Sequence, residues 1–117
     1  MTTRDDAWKR ALTQIADEFA GAHERTTADR AHFMLGVERL AKGDVEEAIE
    51  SFRQAARKDE PPFDSMAKWA LGQCERTRGK QGLALKLWHT LGEDDCVPQA
   101  TRYMAWLSVA ALQAERG

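Results

Sequence analysis

The chain has 117 residues, of which 43% are hydrophobic and 31% are charged. This composition fits one globular domain and excludes a disordered or fibrous protein. The formal net charge of −2 gives no reason to expect a nucleic acid or an anionic membrane as partner, because binding either usually requires a basic face. The sequence has no apolar run as long as a membrane-spanning helix and no pattern typical of a secretion signal. We therefore expect a cytoplasmic protein.

The first predicted helix covers residues 3–22. Its apolar residues recur at helical spacing on one stripe, whereas its other faces are polar. This stripe consists of Trp8, Ala11, Leu12, Ile15 and Phe19. The pattern predicts an amphipathic helix that packs one face against the rest of the chain.

The next two predicted helices are separated by a short turn. The second covers residues 30–42 and ends at Gly43, a typical residue for a helix C-terminus. The third begins directly after Asp44 and ends before Pro61, since proline does not continue a helix. On its charged face, glutamates and arginines stand at the spacing of local ion pairs, so we expect a solvated face joined by such pairs. These residues are Glu46, Glu47, Glu50, Arg53 and Arg57.

Three further helices complete the predicted fold. Asp64 or Ser65 caps a fourth helix that runs through residue 76, and a fifth follows Gly79 and reaches residue 91. Pro98 opens the last helix, since proline is favoured at the first helical position. Six helices without a convincing strand predict an all-α protein.

The sequence repeats itself with a period of 36 residues. The positions Leu35, Gly36, Gly43, Ala48 and Phe52 are followed at this spacing by Leu71, Gly72, Gly79, Ala84 and Trp88. The same spacing then leads from Lys68, Leu71, Gly72 and Glu75 to Met104, Leu107, Ser108 and Ala111 in the last helix. A fixed period near this length is typical of stacked helical units. We expect the last helix to cap the stack.

The repeated glycines indicate close packing between helices. A glycine inside a helix costs about 1 kcal/mol relative to alanine, so Gly36 and Gly72 imply a neighbour too close for a methyl group. The paired helix of each unit is the expected neighbour. Phe52 and Trp88 are predicted to fill the space beside the two glycines.

These residues resemble the tetratricopeptide repeat, a helix-turn-helix unit with Leu and Gly in its first helix and Ala followed by an aromatic residue in its second. In the slots that the family fills with Trp and Tyr, this chain carries His32, Arg39, Lys68 and Glu75. The resemblance covers roughly residues 29–117 and implies a short right-handed α-solenoid of antiparallel helix pairs. We expect one domain, with the N-terminal helix at 3–22, units at 29–62 and 64–97, and a capping helix at 98–117.

In the resembling family, the first helices of the units line a concave groove that binds peptides or partner helices. By this resemblance, the candidate binding residues are Phe33, Val37, Leu40, Trp69, Gln73, Arg76, Arg102 and Val109. The first helix of unit one then has a pairing stripe of Ala31, Met34 and Leu35, and Phe33, Val37 and Leu40 form a second stripe for the groove. The alternative is that the second stripe contacts the next helix or is covered by the N-terminal helix. We expect Trp69 to be exposed.

Residues that could carry out chemistry are few. His23, His32 and His89 have no ligand spacing between them, so surface or packing roles are expected. The acidic loop at residues 93–96 is explained by favourable charge at a helix start. Cys74 and Cys96 are too few for a disulfide framework or a zinc site. The sequence therefore predicts no catalytic activity, no metal and no cofactor.

The leading hypothesis is a non-catalytic adaptor that binds a protein partner, either a peptide or an amphipathic helix, in the concave groove. A partner segment with apolar anchors and an acidic residue suits the predicted groove residues. The alternative is a self-associating structural protein or regulatory subunit, in which the N-terminal or C-terminal helix forms a homodimer interface.

Overall fold

The computed structural model describes residues 9, 10, 14, 28–57 and 63–116. From residue 28 onward, these residues form five α-helices and no strand. The helices are α1 (Ala28–Ala41), α2 (Val45–Ala56), α3 (Phe63–Thr77), α4 (Gln81–Glu93) and α5 (Gln99–Arg116). The predicted all-α fold is confirmed for the described residues. The predicted helix at 3–22 lies outside them, apart from residues 9, 10 and 14.

Each helix packs against the next one in the chain. α1 pairs with α2 and α3 pairs with α4, while contacts of α2 with α3 and of α4 with α5 join successive pairs. α3 also touches α1 and α5. This arrangement confirms a solenoid of stacked helix pairs with α5 after the second pair.

The turns inside both pairs have the same geometry. Gly43 has a φ of 86° and Gly79 a φ of 85°, in the left-handed region where a side chain is disfavoured. After α1, the N–H of Asp44 donates to the carbonyl of Arg39 at 2.9 Å, and the N–H of Gly43 donates to that of Leu40 at 3.0 Å. Equivalent bonds follow α3. The predicted glycine helix ends are therefore confirmed.

Glycine also sets the closeness of the helices within each pair. A Cβ atom added at Gly36 would lie 2.6 Å from Cε1 of Phe52. One added at Gly72 would overlap Nε1 of Trp88 and lie 2.6 Å from its Cε2. Both aromatic rings are fully buried. The predicted packing of Phe52 and Trp88 beside the glycines is confirmed.

A third contact between a glycine and an aromatic ring joins α4 to α5. A Cβ atom at Gly92 would lie 2.6 Å from Nε1 of Trp106, and this indole N–H donates to the carbonyl of Gly92 at 3.2 Å. The ring of His89 lies edge-on to Trp106 with centroids 5.1 Å apart. The contact gives His89 a packing role.

α3 is the central helix of the stack, with 11 buried residues among its 15. It begins at Phe63, one or two residues before the predicted cap. Phe63 is buried, and its ring lies 5.9 Å from that of Phe33. We attribute the earlier start to this contact, which anchors the first turn of α3 on α1.

Candidate functional site

The face of α1 that enters the core consists of Phe33, Gly36, Val37 and Leu40. The ring of Phe33 lies 5.7 Å from that of Phe52 in α2. The predicted pairing stripe is the more exposed one, since Leu35 is 36% exposed. The predicted roles of the two stripes were therefore wrong. Phe33, Val37 and Leu40 face the protein interior, as the alternative interpretation held.

Trp69 is buried, with an exposed fraction of 5%, so its predicted exposure was wrong. Its indole N–H donates to Oγ of Ser108 in α5 at 3.0 Å. Its carbonyl accepts a hydrogen bond from Nε1 of Trp88 at 3.2 Å. Val109 is also buried. Trp69 therefore ties α3 to both α4 and α5 and is not available as a surface anchor.

Gln73 and Arg76 lie where α3 meets α5. Nε2 of Gln73 donates to Oγ of Ser108 at 3.4 Å, and the guanidinium of Arg76 pairs with the carboxylate of Glu115. Beside them is a cavity of about 470 Å³, within the size range of ligand sites. This α3–α5 groove is lined by Gln73, Arg76, Trp88, Leu107, Ser108, Ala111, Ala114 and Glu115.

Arg102 points to the acidic loop, away from this groove. Its Nη1 pairs with Oδ1 of Asp95 at 3.3 Å, and Oδ1 of Asp94 accepts a hydrogen bond from the N–H of Cys96 at 2.9 Å. These contacts support the interpretation of the acidic loop as charge and turn structure at a helix start. Of the eight predicted binding residues, only Gln73 and Arg76 line the α3–α5 groove.

The outer face of α5 carries large exposed hydrophobic side chains. Tyr103 is 65% exposed, Trp106 is 40% exposed and Leu107 is 52% exposed. Leu71, one period before Leu107, is only 8% exposed because it lies between the second helices of two units. Leu107 adjoins one such helix, α4, and no described helix follows α5. The α3–α5 groove is therefore open along an apolar edge.

A second groove lies between α2, α3 and α4, with a volume of about 570 Å³. We call it the basic groove. Its floor is formed by Leu71, Leu83, Leu87 and Leu91, and its charged residues are Arg53, Arg57, Lys68 and Lys86. Sequence reasoning missed this site because its cations come from three helices.

The predicted ion pairs along α2 were wrong. Oε1 of Glu46 pairs with Nε of Arg78 in α3 at 3.2 Å, and Oε1 of Glu50 accepts a hydrogen bond from Gln54 at 3.1 Å. Within the described residues, the side chains of Arg53 and Arg57 form no ion pair. These two arginines instead border the basic groove.

Both cysteines are free thiols, and their surroundings differ. Burial raises the pKa of the Cys74 thiol from 9.0 to about 12, and the charge of Glu75 adds to the effect while Lys9 and Arg78 oppose it. Cys74 is therefore an inert thiol at neutral pH, whereas Cys96 is exposed. Among the described residues, no three potential ligands of His, Cys, Asp or Glu type are grouped for metal binding.

Two stacked helix pairs of common period, followed by a further helix, define a helical repeat protein. A family model described as tetratricopeptide repeat matches residues 33–89, just under half of the chain. This match supports a helical repeat protein of the tetratricopeptide repeat type. Repeats of this family generally mediate protein–protein interaction and are typically not catalytic. No curated protein and no solved structure matches the chain significantly. None of the described helices has the length and apolarity needed to span a membrane.

Proposed function

We propose that the protein is a non-catalytic adaptor that binds an amphipathic helix or peptide of a partner protein in the α3–α5 groove. The observation that carries this proposal is Leu107, which is 52% exposed beside a cavity of about 470 Å³. Ala111 and Ala114 continue the same side of α5 at helical spacing. Small side chains next to an exposed leucine allow a partner helix to approach closely and bury its apolar face.

The polar end of the groove determines the orientation of the partner. Arg76 pairs with Glu115, whose side chain is 38% exposed. Because the side chain of Glu115 is partly exposed, an acidic residue of the partner can compete with it for the guanidinium of Arg76. Gln73 offers an amide within the same groove. A segment with apolar anchors and one acidic residue fits these groups.

The other predicted residues hold in place the helices that form the groove. Phe33, Val37, Leu40, Trp69 and Val109 belong to one buried cluster, and we assign them the role of fixing α3 and α5 in place. Arg102 fixes the start of α5 through Asp95. Substituting a buried member of this set would destabilise the fold, so binding is better tested at exposed positions.

Photo-crosslinking tests the proposal directly. A benzophenone amino acid at Ala111, inside the groove, is expected to crosslink a partner protein in native cells. The control is the same amino acid at Ala100, which is also exposed on α5 but lies outside the groove. At this position it should not crosslink the partner. Leu107→Asp should abolish the crosslink while leaving the circular dichroism spectrum unchanged. An identical crosslinked product from both positions, or one unaffected by Leu107→Asp, would rule out the groove as the binding site.

Self-association through α5 is the second candidate function. It is favoured by Tyr103, Trp106 and Leu107, three large hydrophobic side chains exposed on one helix. Exposed apolar patches commonly mark protein interfaces. Sedimentation equilibrium should then give a dimer mass for the natural chain and a monomer mass for Leu107→Asp. A monomer mass for the natural chain across the accessible concentration range would exclude this function.

We place the protein in the cytoplasm, without a nucleic-acid or membrane partner. The exposed free thiol of Cys96 fits a reducing compartment, since exposed thiols are oxidised elsewhere. The net charge of −2 does not favour general binding to polyanions. Imaging of the tagged full-length chain tests the compartment.

A further inference from the structure

We infer that the basic groove is a second docking site, and that its occupant is an acidic amphipathic helix of a partner protein. The site is separate from the α3–α5 groove, because the two share no lining residue. It extends the proposed adaptor function to a second partner segment of defined charge.

Four cations border the basic groove without compensating acids. Arg53 and Arg57 come from α2, Lys68 comes from α3 and Lys86 comes from α4. Within the described residues, none of these side chains has an ion pair, and no carboxylate lines the groove.

Other cations of the described stack are mixed in this respect, since Lys80 and Arg116 are exposed single charges without an ion pair. Lys42, Arg76, Arg78 and Arg102 each pair with a carboxylate. Four unpaired cations in one place, on a chain of net charge −2, create a local positive potential that attracts an acidic partner.

The floor of the basic groove supplies the apolar contact. Leu83, Leu87 and Leu91 follow one another at intervals of four residues along α4, a distance of about 12 Å at the rise of an α-helix. Leu71 of α3 adds a second apolar wall. Exposure falls from 42% at Leu83 to 2% at Leu91. The floor is therefore accessible to a partner's side chains at its Leu83 end. About two turns of a partner helix match this length.

The arrangement of charge favours a helix over a single anionic head group. Arg53 and Arg57 come from α2, whereas Lys86 lies in α4 next to Leu87. A helix with leucines on one face and glutamates on both flanks can contact the floor and the cations of more than one helix together.

Fluorescence anisotropy with designed peptides tests the inference on the full chain. The acidic probe is a labelled peptide of about 18 residues, roughly five helical turns, with leucines on one face and glutamates on its flanks. The basic probe has every glutamate replaced by lysine. We expect the acidic probe to bind at least about 10-fold more tightly, a difference of about 1.4 kcal/mol, and to weaken as salt rises.

Charge reversal locates the binding site. Arg53→Glu with Lys86→Glu should weaken the acidic probe at least about 10-fold. The matched control is Lys80→Glu with Arg116→Glu, the same change of charge at exposed positions outside the groove, which should weaken it far less. Equal weakening by both pairs, or equal affinity for the two probes, would contradict the inference.

Two further measurements separate the possible occupants and the two grooves. Leu83→Asp should abolish binding of the acidic probe and leave the Ala111 crosslink intact. Leu107→Asp should abolish the Ala111 crosslink and leave binding of the acidic probe intact. Failure of one groove is thus distinguishable from failure of the other. Tighter binding to phosphatidylglycerol vesicles or to a DNA duplex than to the acidic probe would overturn the choice of a protein helix.

Discussion

Replacing Gly72 by alanine tests the close packing on which the fold depends. In an unobstructed helix this change stabilises the protein by up to about 1 kcal/mol, because alanine has the higher helix propensity. Here the new Cβ atom would overlap Nε1 of Trp88 and lie 2.8 Å from Cδ1. Trp88 is fully buried and its indole N–H is bonded to the carbonyl of Trp69, so the ring cannot shift without disturbing that bond.

The costs exceed the gain in helix propensity. Overpacking a buried site typically costs about 1–3 kcal/mol. A shift of the Trp88 ring also strains its hydrogen bond to the carbonyl of Trp69, now 3.2 Å long, and a buried donor without a partner costs about 1–3 kcal/mol. After subtracting the gain, we expect Gly72→Ala to lower the free energy of unfolding by about 1–5 kcal/mol.

Gly82→Ala is the matched control for this experiment. Gly82 lies in the adjacent helix α4, and a Cβ atom there would meet no other atom within 4 Å. Gly82 is the second residue of α4, so the same chemical change should be neutral or stabilise the protein by less than about 1 kcal/mol. Urea unfolding followed by circular dichroism measures both variants.

A double-mutant cycle identifies the cause of the loss. Trp88→Leu removes the indole ring, so Gly72→Ala should cost less in that background. If Gly72→Ala raises the free energy of unfolding as much as Gly82→Ala does, the contact with Trp88 does not limit the site and our account of the repeated glycine is wrong.

Three other predictions concern the turns and the cysteines. Gly43→Ala should cost about 1–2 kcal/mol in urea unfolding because of its positive φ alone, and no loss would refute a conformational role. Iodoacetamide should alkylate Cys96 and leave Cys74 unmodified in the native protein, as judged by mass spectrometry; equal rates would refute the burial of Cys74. Because the folded-state pKa of Cys74 is raised from 9.0 to about 12, its contribution to stability is complete below pH 9 and is lost as pH rises towards 12. The natural chain should lose about 2 kcal/mol relative to Cys74→Ala by about pH 10.5, and parallel pH profiles would refute this.

The repeat could be predicted from sequence because its main features are local. Gly43 and Gly79 stand at helix ends where only a positive φ continues the chain. Gly36 and Gly72 occupy equivalent positions, so a single argument about close packing applied to both. The contact of Gly92 with Trp106 was missed because it joins successive units and has no counterpart at the 36-residue period.

The face that α1 buries could not be predicted in the same way. Phe33, Gly36, Val37 and Leu40 have the spacing of one helical stripe, but the glycine contributes no hydrophobicity to it. The resemblance to the family assigned the larger residues to a groove instead. The face was decided by contacts of Phe33 with the rings of Phe52 and Phe63, both distant in sequence.

α3 separates the two proposed docking sites. Lys68 and Leu71 line the basic groove, whereas Gln73 and Arg76 line the α3–α5 groove. At 100° per residue, the two pairs point about 140° apart around the helix axis. Because α3 is buried along most of its length and close-packed interiors resist small displacements, an occupant of one groove should leave the other unchanged. Affinity for the acidic probe should therefore be the same whether or not a partner is crosslinked at Ala111. Coupling between the grooves would require α3 to move, and it would appear as a changed dissociation constant.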